Sequence, residues 1–400
     1  MAVGSLTAVA GPASPAAPVM PAGRVRDPMD LAAAAALGAR SALALGALIV
    51  VARTVISAVR TFVLPRAAAV PLSRAVFLAI RWPYDLLARR KADHRDVDRI
   101  MASYAPTALL ALPVVWLGIV FVAYAAIFYA LDPAIGLERA VQTSGSSLLT
   151  LGLTPPTRFV GHLAAYTEAG LGLALLALLI TYLPSIYSAF QRREALVTAL
   201  EVRAGVPPSP VTMLRRFHAI GGLDRLDGLW TDWQVWFVDV QESHTSLAAL
   251  SFFRSPQPDL SWVTAAGTVL DAAALSTSLI DRGRREPDAD LCLRAGFLCL
   301  RAVADSLRVE HDPDPQPDDP ITITRAEFDA VCEELGALGL PLHEDIDAAW
   351  AAFAGWRVNY DRTLLGLASL TMAPPAMWSS DRSPPFSPRL RRPGARRRRP

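Results

Sequence analysis

Between Ala105 and Leu131 the chain carries 27 consecutive residues without a charged side chain, more than the ~20 that carry a helix across the hydrocarbon layer of a bilayer. An uninterrupted run of that length fixes a membrane span, and the rest of the chain has to be arranged around it. Two further stretches follow the same logic. Phe159 to Phe190 contains one acid, Glu168, and a proline, Pro184, at which a bend is expected. Leu31 to Ala52 follows a helix N-cap candidate, Asp30, and contains only Arg40 as a charge, but its many alanines make it a span of low hydrophobicity.

Composition agrees with a membrane protein that also has a large soluble part. Apolar residues make up 52% of the chain and charged ones 19%, which argues against a disordered or wholly soluble protein. Ten Lys and Arg side chains lie between residues 53 and 99, and Arg192 and Arg193 follow the last span, whereas the loop 132–158 has only Arg139 and Arg158. Basic residues stay on the cytoplasmic side, so that loop is expected outside and the C-terminal region inside the cytoplasmic membrane. If 31–52 spans, the N-terminus lies outside.

The expected fold is an all-α membrane protein: two to three transmembrane helices, a re-entrant segment and a cytosolic α-helical domain. Residues 1–29 are rich in Ala, Pro and Gly, lack the charge of a signal-peptide n-region, and read as a disordered N-terminus. Residues 30–104 hold the weak span and a basic interfacial helix, with Arg74 and Arg81 seven apart on one face and Arg89, Arg90 and Lys91 beyond. A membrane module occupies 105–190, with Tyr182, Tyr187, Arg192 and Arg193 at its inner edge.

Residues 191–373 form the helical domain, with amphipathic helices near 211–219, 223–253, 260–283, 287–310, 324–338 and 343–373. Trp230, Trp233, Trp236 and Phe237 fall at helical spacing and read as core. Residues 374–400 read as a disordered Arg-rich tail.

Charge divides the chain more sharply than its net of +2 suggests. Residues 194–380 hold 27 Asp and Glu against 14 Arg, whereas 381–400 hold eight Arg against one Asp. Arg396, Arg397, Arg398 and Arg399 are expected to meet anionic lipid, which on a membrane protein lies nearer than nucleic acid. Cys292, Cys299 and Cys332 have no metal-ligand spacing. Asp312 to Asp319 lacks the glycine and the terminal Glu of a calcium loop. No Walker loop, Rossmann fingerprint, nucleophile elbow or zinc-protease motif occurs, so neither an enzyme nor a cofactor is expected.

Between the two stronger spans lies Leu137 to Pro156, a hydroxyl-rich apolar loop that includes Thr143-Ser144-Gly145-Ser146-Ser147 and Thr150-Leu151-Gly152-Leu153-Thr154. Bare backbone is not tolerated in lipid, so this loop lies in water or re-enters the membrane inside protein. The order of span, short helix, loop and span over 105–190 resembles the pore module of the potassium-channel superfamily. Thr150, Leu151, Gly152 and Leu153 fall where that family has Thr, Val or Ile, Gly, and Tyr or Phe. Thr154 replaces its second Gly and Pro155 a common acid. The chain as a whole, through Arg60 to Arg66, Ser144 to Gly152, Tyr182 to Tyr187 and Ser261-Trp262-Val263, is similar to an uncharacterised bacterial membrane-protein family grouped with ion channels.

The resemblance implies a filter in which the backbone carbonyls of Thr150 to Leu153 take the place of a cation's water shell, with Thr154 distorting the outer site. One pore loop per chain implies a homotetramer around a monovalent cation. Gly161, Ala165, Glu168 and Gly172 share one face of the last span, and Glu168 lies about 14 Å along it, near the middle of a ~30 Å hydrocarbon core. It is a candidate for a ring of charge in the pore, or for an interface acid paired with Arg40 or a hydroxyl. Gly170, Gly172 and Pro184 are candidate gating hinges. The alternative is a membrane-tethered interaction or sensor protein with a non-conducting loop.

Overall fold

The computed structural model describes residues 28–62, 70–91 and 93–383. Most of the N-terminal segment 1–29 and the arginines Arg396 to Arg399 lie outside the described residues. No strand occurs among the described residues, and the only bridge there pairs Ile280 with Leu342.

The chain opens with α1 (Pro28–Phe62), α2 (Pro71–Ala88), α3 (His94–Ala102) and α4 (Tyr104–Leu131). The short α5 (Gly136–Leu148) and the 46-residue α6 (Phe159–Ala204) follow. Three runs are long and apolar enough to cross a membrane: Ala32–Thr61, His94–Leu131 and Phe159–Ala204. The first continues nine residues past the limit read from the sequence, because Arg53 and Arg60 are exposed and do not interrupt the helix. α6 runs through Pro184 without a break and stops at Gly205, whose φ of 82° only glycine adopts without strain.

The helical domain comprises α7 (Pro210–Ala219), α8 (Leu226–Ser246), α9 (Trp262–Leu279), α10 (Pro287–Leu307), α11 (Arg325–Ala337), α12 (Ile346–Arg357) and α13 (Asp361–Thr371). α9 is the centre, buried on almost every side, and therefore lacks the one-sided apolar pattern of a surface helix. The tryptophans of α8 belong to this core. Cys292 and Cys299 of α10 are fully buried and free, and burial pushes both thiols up, so they behave as small apolar residues.

Two long helices read from the sequence are each two. The 223–253 stretch breaks at Leu247, and 343–373 breaks between Arg357 and Asp361. At the second break Arg357, fully buried, donates to both oxygens of Asp271 at 2.6 and 2.8 Å, to Asp361 at 2.8 Å and to the Trp378 carbonyl at 2.6 Å. The Tyr360 hydroxyl also donates to Asp271. The buried Trp378 and Ser379 also show that the packed chain continues past residue 374, through a short turn to Ser383.

Segment 247–255 joins the long apolar helices to the domain. Leu250 packs among the α1, α4 and α6 side chains, and Phe252 lies against Tyr104 at the start of α4. Arg193 on α6 donates to the carbonyls of Leu250 and Phe253, both at 2.8 Å. Arg254 donates to Asp98 of α3 and to the carbonyls of Thr371 and Met372.

Candidate functional site

α5 enters between α4 and α6 and buries a polar face: Thr143, Ser144 and Ser146 are all covered. Its descent can be measured against α6. A methyl group placed on Gly172 would lie 2.6 Å from the Leu148 carbonyl oxygen, so the last turn of α5 rests directly on the α6 backbone. Gly172 is 13 residues beyond Phe159, about 20 Å along the helix at 1.5 Å per residue. Pro156 closes on Gly161 in the same way, its ring 2.7 Å from the place a methyl group would take. The stripe Gly161, Ala165, Glu168 and Gly172 thus receives α5 and its returning loop from the same chain, and small residues permit that approach.

Within this contact the fully buried Glu168 lies 2.5 Å from the Ser144 hydroxyl, which is also 2.9 Å from the Phe121 carbonyl of α4. The second carboxyl oxygen of Glu168 has no partner among the described residues. A ring of charge would need this carboxyl open to a shared axis, and Arg40 is not its partner. The geometry places it between α5 and α6 of one chain because the small-residue face turns inward toward α5.

Three bonds at Ser146 shape the loop after α5. Leu151 and Gly152 donate their amides to the Ser146 carbonyl at 2.8 and 3.4 Å, and the Thr154 amide donates to the Ser146 hydroxyl at 3.0 Å. With Thr150 donating to Ser147, the pattern is a Schellman cap whose left-handed position, usually glycine, holds Thr150 at φ 55°. The strain expected at Thr154 therefore sits at Thr150, a cost of about 1–2 kcal/mol for a residue with a Cβ. Gly152 takes the second left-handed position at φ 69°. Among the described residues no donor reaches the carbonyls of Thr150, Leu151, Gly152 or Leu153, and all four residues are exposed.

The remaining sequence candidates separate. Gly172 is a contact point, while among the described residues nothing beyond its own helix comes within 4 Å of the place a methyl group on Gly170 would take, and Pro184 is exposed. Arg192 forms an exposed pair with Asp239, but Arg193 is buried in the joint with Glu194 and His244. Burial, together with Arg193, pulls the His244 imidazole well below its ordinary range. Arg81 is turned inward onto Asp85 and the Leu370 carbonyl, and does not share an outward face with Arg74, because the open C-terminus of α13 offers it an acceptor.

Sequence reading missed Ser146, Arg81 and Arg254 as anchoring residues. Their partners lie in distant parts of the chain or in backbone carbonyls, which leave no spacing signal. Among the described residues no group of three or more His, Cys, Asp or Glu side chains is placed to hold a metal. No protein-family model, curated protein or solved structure matches this chain.

Proposed function

We propose that the protein is a cation channel of the pore-loop type, in which several copies surround an axis lined by the loop 150–154. The reading rests on one observation: α5 descends between two candidate spans until its last carbonyl meets Gly172, about 20 Å along α6 from its start, and the chain then returns to that start. A surface hairpin has no need of such depth. The four unpaired carbonyls at the turning point support it, since backbone oxygens can replace a cation's hydration shell.

One chain supplies one loop, so a closed pore requires a symmetric homo-oligomer, a tetramer in the simplest arrangement. The cytosolic placement of the helical domain and the cytoplasmic membrane as the site of action follow from the arginine distribution. The Ser146-centred cap means that the loop differs from a regular potassium filter, and a non-selective monovalent cation pathway fits it better.

The test is ion flux into vesicles containing purified protein, with Gly152→Val as the comparison. The variant should assemble normally and lose flux, because a β-branched side chain is strained at φ 69°, by about 1–2 kcal/mol, and shifts the carbonyls on either side. Unchanged flux would exclude this loop as the pore and leave the tethered interaction protein as the better reading.

A further inference from the structure

The covered face of α2 mixes apolar Val76 and Ala88 with Ser73, Arg81 and Asp85, whereas its open face carries Leu78, Trp82 and Leu86 at steps of four, with Trp82 71% exposed. The polar face has specific partners. Ser73 bonds Thr61 at the end of α1, Arg81 reaches Asp85 and the Leu370 carbonyl, and Tyr84 bonds Thr107 near the start of α4. A water-facing helix has no reason to hide an ion pair and present a tryptophan between two leucines.

We propose that this face is a membrane-surface anchor whose occupant is the lipid of an anionic leaflet. Two observations select lipid. The helix is tied to the end of α1 and the start of α4, and both of those helices carry exposed apolar residues of their own, Ile56 and Val59 on α1 and Leu110 and Val114 on α4. Exposed cations flank it, Arg74 at one end and Arg89, Arg90 and Lys91 at the other, and they complement anionic headgroups while Trp82 sits at headgroup level. Lys91 meets Asp96 in an exposed pair, 3.6 Å away.

The consequence concerns the domain. Arg81 spans the helix from the lipid ridge to the last turn of α13, and Arg254 holds the same turn from the joint. The C-terminus of α13 therefore hangs from an element whose position is set by the leaflet. This inference does not depend on whether the loop conducts.

The experiment uses the full chain in vesicles of phosphatidylcholine with or without phosphatidylglycerol. Leu86→Cys carries an environment-sensitive fluorophore, and Val235→Cys, exposed on the domain, is the control. In anionic vesicles a lipid-attached quencher should act on position 86 at least about threefold more strongly than aqueous iodide, with the reverse at 235. Replacing Arg89, Arg90 and Lys91 together with Gln should return position 86 to its value in pure phosphatidylcholine. Dominant iodide quenching at 86 overturns the proposal. So does self-quenching that excludes both agents, which would show a second copy on the ridge. Lipid quenching indifferent to headgroup charge and to the Gln variant overturns the headgroup assignment. Leu78→Cys repeats the measurement should labelling at 86 impair assembly.

Discussion

The carbonyl of Leu148 rests on the bare Cα of Gly172, so the depth at which α5 stops is set by a glycine 24 positions later in the chain. Gly172→Ala should displace α5, since a methyl 2.6 Å from a backbone oxygen has no flexible neighbour to yield. Gly170→Ala, with open space around it, should be tolerated or slightly stabilising. Flux and thermal stability of the two variants, compared side by side, check this; equal behaviour would deny the contact its role.

Ser144 and Glu168 should behave as a coupled pair. Ser144→Ala strands a buried carboxyl and should cost about 1–3 kcal/mol, while Ser144→Ala combined with Glu168→Leu should cost less than Ser144→Ala alone, because an apolar pair leaves nothing unsatisfied. Melting of the purified protein measures the coupling. Additive losses would mean that the two side chains act independently.

Arg357 stands at the centre of the domain with two carboxylates, and removing it leaves both uncompensated. Arg357→Met should destabilise the domain by about 3–5 kcal/mol, and Asp271→Leu introduced with it should recover part of the loss. Burial raises Asp271 above the usual carboxylate range despite Arg357, which marks how much this acid depends on its partner. Denaturation followed through the domain's tryptophans reads the effect.

Glu327 closes the C-terminal segment onto α11. The Arg382 guanidinium, aided by the Thr324 amide and hydroxyl, holds its carboxyl down at about 2. A depressed folded value means that the pair stabilises fully above the ordinary carboxylate range, near 4.5, and is lost as pH falls toward 2. The protection of amides 376–382, taken relative to the exchange rate of an unstructured chain at each pH, should therefore fall over that interval in the native chain. Glu327→Gln should exchange faster at neutral pH and show a smaller change with acid. A pH response that survives the substitution would assign the effect to another group.

The sequence determined by itself what needs only local information. A run of 27 uncharged residues is a helix of spanning length in any surroundings, and the helices of the domain follow from apolar spacing punctuated by Gly and Pro. It also pointed to the small-residue face of α6 and to Glu168 on it. Tertiary structure decided what that face meets, since periodicity names a face and not its partner; the partner is α5 of the same chain. The tertiary structure also turned Arg81 and Arg193 inward, because backbone carbonyls at Leu370, Leu250 and Phe253 became available only once distant segments had packed. It fixed the strained position at Thr150, which depends on where α5 ends and which amides its last carbonyls capture.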